Sequence, residues 1–255
     1  MKGACIRKSI ESTHLENHLN GIESLGCYPL LDNGTCHWAV IDFDFKSDEN
    51  RVQVAEEHSK EFAEELKKYG IKDVWFERSK SSLVHLWIFF SKPVEARKIR
   101  KVLACIADKL GLKVSNGSVE IFPKQDQLQE GQVGNYVHLP YFNGLNNNSL
   151  KTRAMLDPET FEHIPLYEFI ERAKGSFIHP EVIDAAFQQV VKNESIPSDG
   201  TDLNSLNSYP DTKSIIEIIK PYWNEGQRQE LSLCLTGFLS KQGLSWDRRD
   251  YPGIG

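Results

Sequence analysis

What the sequence lacks narrows it first. No apolar run approaches the roughly 20 residues that a membrane-spanning helix needs. The opening stretch MKGACIRKSIESTH has no apolar centre of the kind that marks a secretory signal. A cytoplasmic protein that does not touch a membrane is therefore expected. The 5 cysteines, at positions 5, 27, 36, 105 and 234, are widely spaced and contain no CxxC pair. That argues against a disulfide framework and against a compact zinc ribbon. Cys27, Cys36 and His37 could share a metal with His14 or His18, but small residues on buried strands explain them better. Positive charge is also short: 30 Lys and Arg against 36 Asp and Glu leave a net charge of −6. That balance disfavours a protein whose main work is gripping DNA, yet it is compatible with carboxylates gathered at a metal site. Basic residues cluster only locally, at Arg78/Lys80, Arg97/Lys98/Arg100/Lys101 and Lys151/Arg153. There is no internal repeat and no low-complexity tract.

What is present suffices for one substantial core and a smaller appended unit, with 40% hydrophobic residues over 255 positions. Residues 26–142 alternate strand-like and helix-like stretches, which predicts an α/β (α+β) domain. GCYPLL (26–31) and HWAVIDFDF (37–45) read as strands around a turn at Asp32-Asn33-Gly34. Helical spacing runs through 51–70 and stops at Gly70. DVWFERS (73–79) and VHLWIFF (84–90) are two further strands. A second helix is expected over 93–111, opening at Pro93 and closing at Gly111. VEIFP (119–123) and NYVHLPYF (135–142) are strand candidates, and 143–149 is a polar break. Residues 164–192 look helical, with Phe169, Val182, Ile183, Phe187 and Val190 or Val191 as buried candidates. The Ser-, Asn- and Asp-rich stretch 193–211 reads as a linker between a main domain, 1–192, and a small helical module, 212–255.

Three stretches carry chemistry. In Val40-Ile41-Asp42-Phe43-Asp44 a strand would point Asp42 and Asp44 the same way, with Cα atoms roughly 6.5–7 Å apart. Two unpaired carboxylates on an otherwise apolar strand repel each other, and a hard divalent cation such as Mg²⁺ or Mn²⁺ reverses that cost. In Glu77 to Trp87 a strand enters a polar turn and the next strand opens on a histidine. Serine hydroxyls, turn N–H groups and Lys80 would suit a triphosphate there, with His85 bonding the same phosphates. In Glu120-Ile121-Phe122-Pro123-Lys124-Gln125-Asp126, either Glu120 or Asp126 would complete a three-carboxylate site. Solvated strand-end acids and an ordinary hairpin turn remain open as plainer explanations of each stretch taken alone.

Taken together, the order DxD, Ser-rich turn with His-x-Trp, then FPxQD followed by GN and LP, resembles the archaeo-eukaryotic primase superfamily. The likeness covers roughly residues 18–142 and is nearest to bacterial primase-polymerases of mobile-element, conflict-system and CRISPR-associated loci. It implies a palm like an RNA-recognition motif, with an N-terminal α/β module before it and a small C-terminal helical module after it. Asp42, Asp44 and Asp126 would be the metal ligands, since Asp126 fits the family pattern better than Glu120, and two Mg²⁺ or Mn²⁺ ions would be the cofactors. Ser79, Ser81 and His85 would hold the incoming triphosphate, with Lys80, Lys124 and Asn135 nearby. Relatives carry a glycine-rich turn before the histidine. Here Ser82, Leu83 and Val84 stand in it, so Ser81 and Ser82 share the expected contact. Arg78, Trp223 and Arg228 would touch template or the first nucleotide. The implied activity is two-metal joining of NTPs or dNTPs into dinucleotides and primers, and their extension on single-stranded DNA, with replication or CRISPR proteins as expected partners. A metal-dependent nuclease and a non-catalytic DNA-binding module are the alternatives.

Overall fold

Alternation along one strand divides the molecule into two cores. Ala39, Ile41 and Phe43 pack to one side of it, and Trp38 and Val40 to the other. Cys36 joins the first group because a bulge between Cys36 and Trp38 inverts the alternation. The computed structural model describes residues 10–46, 48–147 and 150–194. Along them run α1 (Ser12–Leu19), β1 (Gly26–Cys27), β2 (Thr35–Phe43), α2 (Arg51–Lys68), β3 (Trp75–Arg78), β4 (Val84–Glu95), α3 (Ala96–Lys109), β5 (Val119–Phe122), β6 (Val137–His138), β7 (Ala154–Leu156), α4 (Leu166–Ala173) and α5 (Pro180–Glu194). The proposed module at 212–255, with Trp223 and Arg228, and nearly all of the proposed linker lie outside the described residues.

Five strands form one sheet in the order β5-β2-β4-β3-β7, and every neighbouring pair is antiparallel. The stretch β2-α2-β3-β4-α3-β5 is thus the split β-α-β arrangement of an RNA-recognition motif, as expected from the sequence. α2 and α3 cover one face: Phe62, Leu66, Ile99, Leu103 and Ile106 bury against Ile41, Phe43, Leu86 and Ile88. A second core on the opposite face gathers Val40, Trp75, Trp87, Phe122, Tyr141 and Met155.

Several element bounds differ from the sequence reading, each for a local reason. Pro93 does not start a helix. It lies within β4, in the stretch opposite the bulge that has no ladder partner on β2, where a residue without an N–H is tolerated. Residues 164–192 hold two helices, because the chain between them turns to bond Ile178 N–H to Phe89 O at 2.8 Å. On α5, Val190 is buried and Val191 exposed. Of the strand expected at 26–31, only Gly26–Cys27 pairs in a ladder, and its partner is β6.

The β1–β6 pair is pinned by a histidine. His18 Nδ1 accepts from the Leu25 N–H at 3.0 Å, and Nε2 donates to Pro140 O at 2.8 Å. The ring must be neutral to do both, and burial accordingly lowers its pKa, partly offset by the Pro140 bond and reinforced by Arg153. His18→Ala, which orphans two backbone groups, should cost about 2 kcal/mol. An unfolded histidine with the ordinary pKa near 6.5 takes up a proton before the folded one does. The wild-type chain should therefore lose stability as pH falls below 6.5, and His18→Ala should lose less of it. Urea unfolding at neutral pH and in mild acid checks both expectations.

Candidate active site

Sheet register brings four ionisable side chains into one row. Asp42 lies opposite Glu120 on one side and His85 on the other, and His85 lies opposite Glu77. Their strand neighbours Ile41, Phe76, Leu86 and Ile121 point into the helix-covered core, so the row faces the other way. Directly opposed residues of antiparallel strands stand about 4.5–5.5 Å apart. Glu120, Asp42 and His85 are therefore side-by-side neighbours. Asp44 lies just beyond β2. Its N–H bonds Ser118 O at 2.7 Å, which carries the ladder on and keeps Asp44 on the face of Asp42. One cation reports on all three acids. Lys46 Nζ stands 2.7 Å from Asp44. Its pKa is raised first by the hydrogen bond and charge of Asp44, then, against some desolvation, by Glu120 and Asp42.

His85 is held as an imidazolium. Burial pushes its pKa down, but the Glu77 charge, hydrogen bonds to Asp42 and Glu77, and the Asp42 charge together raise it to about 10. Nδ1 lies 2.9 Å from Glu77 Oε2, and Nε2 lies 3.6 Å from Asp42 Oδ1. The same Glu77 oxygen accepts the Trp87 indole N–H at 2.7 Å. Glu77 is almost wholly buried, so its two partners account for its tolerance of burial.

Beyond Glu77 the β3–β4 turn closes tightly. Ser79 N–H bonds Leu83 O at 2.8 Å, Ser82 N–H bonds Ser79 O at 3.1 Å, and Ser82 adopts φ 66°, the conformation that a glycine would take most readily. Ser79 is buried with its hydroxyl 3.0 Å from that of Ser81, while Lys80, Ser81 and Ser82 are exposed. Two basic side chains that the sequence does not assign to the site, Arg153 and His138, approach this end of the sheet. Arg153 donates its backbone N–H to Arg78 O at 2.5 Å and its guanidinium to Ser24 Oγ at 2.8 Å. His138 on β6 has a pKa lowered by burial and then by Arg153, Lys80 and, more weakly, His85. The basic pair Lys151/Arg153 is all that the sequence shows of Arg153. Only the long-range approach of β7 to β3 brings it in.

Other expected residues stand elsewhere. Asp126 does not join the acids. It pairs with Arg100 of α3, and a Cβ on Gly34, at the far end of β2 from Asp42, would lie 3.1 Å from its carbonyl oxygen. The chain leaving Glu120 runs antiparallel along β2 and away from Asp42, which carries Asp126 off by roughly 15–20 Å if extended. Glu120, the alternative in the sequence, is the acid that the register delivers. Arg78 turns to the helix side, where it meets Glu56 of α2 at 2.5 Å. It therefore does not face the row as a template contact would. Lys124 pairs with Glu120 and lies 4.8 Å over the Phe122 ring. Asn135 is exposed just ahead of β6.

Asp42, Asp44 and Glu120 form an anionic, all-oxygen donor set of the kind that suits Mg²⁺ or Mn²⁺. Among the described residues no three His, Cys, Asp or Glu side chains are already drawn into a cage. The ammonium groups of Lys46 and Lys124 sit on Asp44 and Glu120 as stand-in cations. Three carboxylates are the right donor chemistry for a divalent ion, but here two of them pair with lysines and the three are not gathered around one point. Among the described residues, no helix is long and apolar enough to cross a membrane. No curated protein matches the chain significantly. A family model described as TOTE conflict system, Archaeo-Eukaryotic Primase domain, matches residues 5–172, a span that contains the five-stranded sheet and every acid of the row.

Proposed function

Because the chain belongs to the archaeo-eukaryotic primase family of TOTE conflict systems, we propose that it is a nucleotidyltransferase that joins NTPs or dNTPs on a single-stranded DNA template. The observation that carries this reading is the row Glu120, Asp42, His85, with Asp44 beside it: three carboxylates next to a histidine kept cationic. In-line attack of a 3′-hydroxyl on an α-phosphate asks for alignment and charge neutralisation more than for a protein nucleophile. Two Mg²⁺ or Mn²⁺ ions held by Asp42, Asp44 and Glu120 would supply the neutralisation and acidify the attacking hydroxyl. His85 donates to a phosphate oxygen and does not act as a base, because Glu77 and Asp42 keep it protonated. The exposed hydroxyls of Ser81 and Ser82 and the ammonium of Lys80 bind the outer phosphates, and the buried Ser79 hydroxyl supports that of Ser81. Arg153 adds a further positive charge at that end, and Lys124 and Asn135 serve as peripheral contacts.

A nuclease would use the same acids but has no need of a second, cationic end built for a triphosphate tail. The assay that separates the readings incubates the chain with single-stranded DNA, Mn²⁺ and labelled NTPs or dNTPs in parallel. Labelled products longer than the nucleotide are expected. Shortened template would favour cleavage, and an unchanged template with no product would favour a binding module.

A further inference from the structure

We propose that Tyr136, backed by His138, is the wall against which the base of the incoming nucleotide stacks. The inference rests on the nucleotidyltransferase reading and deepens it, by locating the nucleoside half of the substrate. Tyr136, just ahead of β6, and His138 within it bring their rings together edge to face at 5.2 Å and 88°. Tyr136 is nevertheless 48% exposed, so much of this large aromatic residue is left to solvent. The ring is also held in place. Tyr28 packs against it at 6.0 Å, and Gly26, paired with His138 across β1–β6, makes room for it. A Cβ at Gly26 would come within 2.5 Å of Tyr136 Cδ2, closer than atoms tolerate. Glycine at position 26 is therefore the condition for the ring to lie where it does.

The same place adjoins the phosphate-binding end. Arg153 reaches from the C-terminal end of β3 to Ser24, two residues before Gly26, so it links the start of the β3–β4 turn to the β1–β6 pair. Lys80 and Arg153 both act electrostatically on His138, the ring directly behind Tyr136. A nucleoside triphosphate has an anionic tail and a flat polarisable base. Cations at one end of the site and an exposed, pre-positioned aromatic ring at the other match both halves. Stacking on a ring tolerates every base, as templated synthesis requires.

Calorimetric titration of the full chain with ATP and with inorganic triphosphate, both with Mn²⁺, tests the wall apart from the phosphate site. Tyr136→Ala should bind ATP about ten-fold more weakly and bind inorganic triphosphate as the wild type does, while remaining folded with a modestly lower melting temperature. Tyr136→Phe should keep both affinities. Wild-type ATP affinity in Tyr136→Ala overturns the inference, as does an equal loss of both ligands. A wild-type chain that binds neither ligand removes the nucleotide site itself, and the wall with it.

Discussion

Replacing Asp42 by alanine will abolish nucleotide incorporation, a fall of about a thousand-fold or more, while leaving the domain folded. Asp42 is the one acid with a titratable neighbour on each side, Glu120 on β5 and His85 on β4. Its removal opens a gap in the middle of the donor set and takes from His85 one of the two carboxylates that fix its ring. The fold should hardly notice. The Asp42 side chain remains 24% exposed and its contact with His85 is long, at 3.6 Å, so stability should change by no more than about 1 kcal/mol. Glu120→Ala should lose activity to a similar degree. Asp126→Ala should not, because that carboxylate faces Arg100 on a half-exposed loop. Primer-extension rates measured beside melting temperatures decide the matter. Asp42→Ala working at the wild-type rate would end the nucleotidyltransferase reading. Loss in Asp126→Ala with activity kept in Glu120→Ala would restore Asp126 as the third acid.

The contrast between Glu120 and Asp126 shows where sequence reasoning ran short. Val119 and Ile121 alternate around Glu120, and that pattern alone assigns Glu120 to the face shared with Asp42. Asp126 is favoured only by the family pattern, a comparison along the chain that takes no account of the direction in which β5 runs. Asp42 and His85 were legible because strand alternation is a local rule and both lie inside long apolar strands. Glu77 was readable in principle. A hairpin centred on Ser81 pairs positions that sum to 162, which sets Trp75 against Trp87 and Glu77 against His85. Without the register, a single acid in FERS looks like any solvated strand end. Arg153 and β7 had no such handle. Ala154–Leu156 is too short to show a period, and its place beside β3 depends on contacts some 76 residues apart along the chain, as in the pairing of Arg78 with Ala154.

The palm therefore separates two tasks by face. Apolar residues of β2, β4 and β5 that alternate toward α2 and α3 make the larger core, and the residues between them present charge at one end of the opposite face. Farther along that face the same strands turn aromatic, with Trp87 stacked on Phe89 at 5.8 Å and Trp38 at 5.0 Å from Trp87. This apolar stretch holds the acid row rigid from below, because the Trp87 indole that packs there also donates to Glu77. Packing and chemistry meet at that one carboxylate.

Glu77→Ala should accordingly be the costliest single change in the site, destabilising the domain by about 3 kcal/mol or more. It removes the acceptor of the Trp87 N–H and the closer counter-ion of His85 together, and leaves a buried imidazolium facing an apolar wall. Glu77→Gln keeps an oxygen for Trp87 and should cost less, but it surrenders the charge. Its signature is a pH dependence. The folded pKa of His85, about 10, lies above the ordinary 6.5 of the unfolded chain, so the stabilisation it reports is complete below pH 6.5 and is lost as pH rises through 10. The stability gap between wild type and Glu77→Gln should then be widest near pH 6.5 and narrow toward pH 10, measured by urea unfolding of the metal-free chain. A gap that stays constant across that range would mean that Glu77 does not hold the His85 proton. In that case the imidazolium would depend on Asp42 alone, and Asp42→Asn, not Glu77→Gln, would show the narrowing gap.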